Sequence, residues 1–238
     1  MLTGHQRIFV AGASGAIGLR LCRLLVADGW QVTGTTRRPE RAKALREIGV
    51  EPEIVDVYDA AALLRAVVRA QPSVVIHQLT DLPPGLDPTK MEEGRARNAR
   101  IRDVGTRHLV AAAVEAGARR IVAQSIAFAY APGPAPYQED APLASEGLAA
   151  FERQVLNSSL EALVLRYGQL YGPGTGFDTA PKGAPVHVDA AADAARRAVT
   201  RGKPGIYNVA EDDGTVSSAK AIEQFGWYAG FRIPGERG

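Results

Sequence analysis

The sequence predicts an α/β fold, a doubly wound parallel sheet, and three observations carry the prediction. The apolar run Ile8-Phe9-Val10-Ala11 feeds the glycine cluster Gly12-Ala13-Ser14-Gly15-Ala16-Ile17-Gly18, which opens the amphipathic stretch Leu19, Leu21, Cys22, Leu24, Leu25. Val74-Val75-Ile76 is a continuous β-branched run, as a strand covered on both faces requires. Strand-like and helix-like stretches then alternate along the chain, which calls for right-handed crossovers and places ligands at the carboxyl ends of the strands.

The elements follow in order. Arg7–Ala11 is strand one, and the helix after it stops at Gly29, a suitable C′ residue. Gln31–Thr35 is strand two, followed by the basic turn Arg37-Arg38-Pro39-Glu40 and a short helix ending before Gly49. Glu53–Val57 is strand three, and Asp59 caps a helix through Ala70. Ser73–His77 is strand four, and Leu82 to Pro88 is a loop. Asn98–Ala116 is a helix with Ile101, Val104, Gly105, His108, Leu109, Ala112, Ala113 and Ala116 on one stripe, and Gly117 ends it. Ile121–Ser125, Leu163–Arg166 and Ile206–Val209 are the remaining strands. There is no internal repeat, coiled-coil heptad or low-complexity segment.

With 238 residues and 46% hydrophobic content, residues 1–238 are expected to form one domain with a substantial core. A net charge of +2 argues against nucleic acid or an anionic membrane as a partner. The single cysteine, Cys22, excludes an internal disulfide and reads as a packed thiol. The run Ile8–Ala11 is too short for a signal peptide or membrane span, so a soluble cytoplasmic protein is expected. His5, His77, His108 and His187 show no metal-ligand spacing with one another or with Cys22, so no metal is expected.

A glycine turn between a strand and a helix brings bare backbone N–H groups up to a pyrophosphate; the plainer alternative is a tight βα turn. The tip of strand two then discriminates between dinucleotides. A carboxylate there would hydrogen-bond the ribose of NAD and repel the 2′-phosphate of NADP. Thr35-Thr36-Arg37-Arg38 offers guanidiniums instead, so NADP is the expected cofactor. Alternatively, Arg37 and Arg38 only solvate the start of the next helix. Asp56 either accepts from the adenine amino group or caps a turn.

Several segments resemble the extended short-chain dehydrogenases/reductases, in particular the NAD(P)-dependent epimerase/dehydratase-like group with its Rossmann fold. Beside the glycine turn these are Val74-Val75-Ile76-His77-Gln78-Leu79-Thr80, Gly105-Thr106-Arg107-His108-Leu109, Arg120-Ile121-Val122-Ala123-Gln124-Ser125, the stretch from Leu165 to Gly174, and His187-Val188-Asp189. The resemblance implies pyrophosphate contacts at Gly12, Ser14, Gly15, Ala16 and Ile17. It places the adenosine end at Arg37, Arg38, Asp56 and Val57, the middle of the cofactor at Leu79 and Thr80, and the nicotinamide near Gln124, Tyr167, Gly168 and Leu170. His77 is expected to be a packed imidazole.

The catalytic pair does not carry over. The family's Tyr-x-x-x-Lys sets an ammonium beside a phenol, lowering its pKa so that it can pass a proton while hydride moves. No tyrosine here has a lysine four positions later. Matching Glu152 to the acid that often follows the pair puts Ala144 and Leu148 in its place, and Ile126 falls where a serine or threonine would stand. Arg102 takes the position of an asparagine in the family. The insertion that forms the substrate lid is reduced to Thr175–Val186, so 172–238 is a truncated substrate-binding portion, open, shallow or completed by a second subunit such as a homodimer partner. The expectation is an NADP-dependent oxidoreductase for a small molecule, with Ser125 and Tyr130 as catalytic candidates and Tyr137 and Tyr167 as further phenols. A non-catalytic NADP-binding redox sensor is the alternative, because fold does not dictate function.

Overall fold

The computed structural model describes residues 6–234. Its centre is a sheet of seven strands: β1 (Arg7–Ala11), β2 (Gln31–Thr36), β3 (Glu51–Ile54), β4 (Val74–His77), β5 (Arg120–Ile126), β6 (Glu161–Tyr167) and, reached last, β9 (Gly205–Val209). Their order is β3-β2-β1-β4-β5-β6-β9, and every neighbouring pair is parallel. The chain winds outward from β1 to β3, then returns to β4 on the other side of β1. That reversal opens a crevice at the carboxyl ends of β1 and β4.

Alternation along the strands supplies two faces. Ile8 and Val10 of β1 face a core built with α1 (Ala16–Ala27), α2 (Ala42–Glu47), α7 (Val188–Ala198) and α8 (Ala219–Phe225). Phe9 and Ala11 face α3 (Ala60–Ala70) and α5 (Thr106–Glu115), while α6 (Glu146–Leu156) covers β5 and β6 on that same side. Leu21 and Leu25 of α1 are fully buried; each contributes about 1.5–3 kcal/mol by leaving water. Burial pushes the Cys22 thiol up to about 12, so it is a packing group. Arg20 ties α1 to α7 through Asp189 at 2.7 Å.

The structure moves several expected strand ends by one or two residues, β6 running Glu161–Tyr167 for example, and two elements by more. Strand three runs Glu51–Ile54 rather than Glu53–Val57, because its only partner, β2, ends at Thr36 opposite Ile54. The helix expected from Asn98 begins seven residues earlier as α4 (Met91–Arg100), passes through a π-helical segment at 101–105 and continues as α5. Only Gly94 and Asn98 of α4 are buried, so it carries no apolar stripe to read. Asp59 caps α3 as expected, accepting from the Ala62 amide at 2.9 Å. The loop 82–88 contains a short 3₁₀ turn at Pro84–Leu86, and a second, Pro88–Lys90, begins at its end.

Beyond β6, β7 (Gln169–Tyr171) pairs with β8 (Pro185–His187) as a small parallel ladder outside the main sheet. The stretch after Gly172 therefore supplies β8, α7, β9 and α8, and β9 completes the sheet. Among the described residues no helix is long and apolar enough to cross a membrane. None of their His, Cys, Asp or Glu side chains cluster as a metal site; His5 lies outside the described residues.

Candidate active site

The glycine turn lies at the crevice, and its three glycines do different work. Gly12 has φ +88°, and a Cβ there would stand 2.4 Å from the Gln78 carbonyl oxygen of β4's exit. A Cβ on Gly18 would stand 2.2 Å from the Gly12 oxygen, so this residue sets how closely α1 approaches the turn. Gly15 is different: its φ is −81°, it is exposed, and a Cβ would meet only the Gly12 oxygen at 3.4 Å. Gly15 opens α1 with no side-chain cap and no acidic residue in the first turn. The amides of Ala16 and Ile17 are thus offered outward at the positive end of the helix dipole, a cradle that fits a diphosphate. Beside it the Gln78 side-chain oxygen is buried without a donor among the described residues, while its amide nitrogen donates to the Tyr167 hydroxyl at 3.3 Å. A ligand hydroxyl would satisfy that acceptor.

At the tip of β2, the Ser14 hydroxyl donates to Thr36 Oγ1 at 3.1 Å. Arg37 is exposed and forks onto Asp81 at 3.1 and 3.4 Å, which raises its pKa further. Arg38 is exposed beside it. Arg41, four residues beyond Arg37 at the end of the 3₁₀ turn Pro39–Arg41, donates to the Ser14 carbonyl at 2.8 Å. Sequence reasoning passed over Arg41; its spacing from Arg37 was the available signal. Three guanidiniums and two hydroxyls thus surround the expected place of an adenosine phosphate. Asp56 accepts from the Tyr58 amide at 2.9 Å as a turn residue and remains exposed, and Val57 is buried under α5.

Toward the other end of the crevice, Leu79 is half-buried and Thr80 exposed, and Gln124 donates to the Leu79 carbonyl at 3.0 Å. Leu170 is half-buried on β7. Tyr167 lies in the core with its hydroxyl pushed far up by burial, which leaves it unsuited to releasing a proton. Gly168 is a packing glycine: a Cβ would stand 2.1 Å from the Ala184 oxygen.

Ser125 and Tyr130 join one network. Ser125 donates to Glu152 at 2.6 Å, and Arg166 grips the same carboxylate at 2.9 and 2.6 Å. Arg166 also donates to the Tyr130 oxygen at 2.9 Å, and Tyr130 donates to Asn208 at 2.5 Å. Burial raises the Tyr130 pKa against the pull of Arg166. Tyr137 stacks on Tyr130 with ring centroids 5.0 Å apart. Ala144 and Leu148 flank Ser145, whose hydroxyl caps α6. His77 is fully buried and held near pKa 4 by that burial; it accepts from the Leu79 amide at 3.4 Å and meets the Thr106 hydroxyl at 3.0 Å.

A doubly wound sheet with an uncapped, glycine-lined helix terminus at its switch point defines an NAD(P)-binding protein. Residues 12–201 match the family described as NAD(P)H-binding, and the chain belongs to it. A Streptomyces protein named 3-diazoavenalumate denitrifying reductase is 42% identical over 239 aligned residues, spanning 87% of this chain and 77% of that protein. Among solved structures, the UDP-glucose 4-epimerase of Thermotoga maritima with UDP-glucose superposes with a TM-score of 0.79 at 16% identity, over 95% of this chain and 94% of that one. The Thermus thermophilus UDP-glucose 4-epimerase in complex with NAD gives 0.76 at 21% identity, over 96% and 95%. These likenesses establish the epimerase/dehydratase-like Rossmann fold. Together with the reductase relative they make the chain NAD(P)-binding and oxidoreductase-like.

Proposed function

We propose that the protein is an NADP(H)-dependent reductase that delivers hydride to a small organic electrophile without an acid of the Tyr-x-x-x-Lys kind. The observation that carries this reading is a phosphate cradle kept whole beside a proton-relay position filled by Ala144 and Leu148. In this reading the amides of the turn, from Gly12 and Ser14 to Gly15, Ala16 and Ile17, hold the pyrophosphate. Arg37, Arg38 and Arg41 take the 2′-phosphate, and Asp56 and Val57 border the adenine. Leu79, Thr80, Gln124 and Leu170 line the nicotinamide end, with Tyr167 and Gly168 packed behind. Bound there, the dinucleotide supplies a hydride.

Reducing a carbonyl leaves an alkoxide that needs a general acid, and Ala144 and Leu148 provide none. A substrate that loses a neutral leaving group makes no such demand. The 42%-identical relative is named for removing nitrogen from a diazo compound, and that chemistry fits: one carbon–hydrogen bond forms, one carbon–nitrogen bond breaks, and dinitrogen leaves with the bonding pair. Ser125 and Tyr130, the candidate catalytic hydroxyls, then serve to hold Glu152, Arg166 and Asn208 behind the site.

The test is turnover of NADPH with a diazo acid, an aldehyde, a quinone and an enone. Oxidation of one NADPH per dinitrogen released is the expected result. Faster turnover of the aldehyde would overturn the acid-free premise. Tight NADPH binding without any turnover would favour the redox-sensor alternative.

A further inference from the structure

Arg102 is a charge that the cofactor cradle does not explain. It sits half-buried in the π-helical segment 101–105 and makes no hydrogen bond or ion pair among the described residues. Burial lowers its pKa, and Glu152 is the carboxylate whose charge counters this. Glu152 is already committed: one oxygen takes Ser125 at 2.6 Å and Arg166 at 2.9 Å, the other takes Arg166 at 2.6 Å. Two guanidiniums share one carboxylate, so a net positive charge remains. Neighbouring Asp103 is paired with Arg107 at 2.5 Å, and Arg100 lies 4.2 Å over the Tyr58 ring. Keeping a desolvated cation without a counter-ion is unfavourable, and such groups mark sites where a ligand brings the counter-charge.

Arg102 also lines a groove of about 570 Å³ between the 101–105 segment and α6, with Ala99, Leu148, Ala150 and Phe151 among its walls. Leu148 marks where the family's lysine would stand, so the groove lies on the side of the missing proton relay. The charge of Arg102 reaches His77 at the end of β4, one residue before the Gln78 carbonyl that meets Gly12. Phe151 of the groove wall packs against the His77 ring with centroids 5.6 Å apart, so the groove lies behind the end of β4.

We infer that this groove anchors the substrate and that Arg102 takes the carboxylate of a small aromatic acid, whose apolar body lies along Ala99, Leu148 and Ala150. The inference rests on the reductase reading for its catalytic meaning. Arg100, Asp103, Ser145 and Gln154 also line the groove, but Arg100 lies over the Tyr58 ring and Asp103 pairs with Arg107, which leaves Arg102 as the unpaired guanidinium for one planar anion.

The test is calorimetric titration of the full chain, with and without NADP⁺, using cinnamate and its uncharged isostere cinnamamide. Cinnamate is expected to bind, with the amide at least tenfold weaker. Arg102→Gln should reduce cinnamate binding to the level of the amide, with NADPH affinity unchanged and the melting temperature at or above the parent's. Arg102→Lys should recover part of the discrimination. Equal binding of acid and amide, no cinnamate binding by the parent, or parent-like cinnamate binding by Arg102→Gln overturns the inference. So does a lower melting temperature for Arg102→Gln, which would make the guanidinium structural. NADPH binding without acid–amide discrimination removes the anion site alone; discrimination without NADPH binding removes the reductase reading alone.

Discussion

Gly15→Ala separates the cradle's binding role from its folding role. Its φ of −81° accepts an L-residue, and the new methyl would touch only the Gly12 oxygen at 3.4 Å. Restricting the unfolded chain gains about 0.4–1 kcal/mol, while alanine is a poorer N-cap than glycine by roughly the same amount. Stability should therefore stay within ~1 kcal/mol of the parent. In the proposed reading the methyl crowds the cradle in which the amides of Ala16 and Ile17 would hold the pyrophosphate. Losing one charge-assisted hydrogen bond there costs about 1.5–3 kcal/mol, roughly a tenfold to hundredfold loss of affinity. Gly12→Ala is the contrasting control: at φ +88° and 2.4 Å from the Gln78 oxygen it should destabilise the fold itself by about 1–3 kcal/mol or more. Thermal unfolding and titration with both NADPH and NADH read the two effects separately. Parent-like affinity in a folded Gly15→Ala would refute the reasoning and leave the turn a packing device.

Three other outcomes are expected. Arg37→Ala should weaken NADPH about tenfold to a hundredfold and leave NADH unchanged in the same titration, with little change in melting because the Asp81 pair is partly exposed; equal losses for both nucleotides would contradict the 2′-phosphate assignment. Tyr130→Phe should cost about 1–3 kcal/mol of stability, since Arg166 and Asn208 each lose a partner. Its turnover should fall by less than about tenfold, whereas a loss of about 10²–10⁴-fold in kcat would make Tyr130 the proton donor. His77 should make the fold acid-sensitive. The unfolded imidazole takes up a proton near pH 6.5 and the folded one only near 4, so the unfolded state binds more protons between these values. Stability should fall by about 3 kcal/mol as pH drops through that window and no further below it; His77→Asn should flatten that part of a melting-temperature series.

The sheet and the cradle were legible because both rest on local patterns. Val74-Val75-Ile76 can sit only in a doubly covered strand, and Gly12 to Gly18 spell a strand–turn–helix junction. The edge of β3 was less legible, because its length depends on where β2 stops and not on its own residues. The start of α4 was invisible for a related reason: with only Gly94 and Asn98 buried, it has no apolar period. Arg102 illustrates a third limit. Its departure from the family's asparagine could be seen in sequence, yet its lack of a partner emerged only once Glu152 was found bound to Ser125 and Arg166.

The pairing of Arg37 with Asp81 ties the rim of β2 to the segment that leads into α4. In the proposed reading the Asp81 carboxylate occupies the guanidinium fork that the 2′-phosphate would take. On that reading an incoming phosphoryl group competes with Asp81 for Arg37, and Arg97 of α4 lies 3.7 Å from the same carboxylate. Asp81 in this way joins the proposed adenosine end to the helix that runs on into the 101–105 segment.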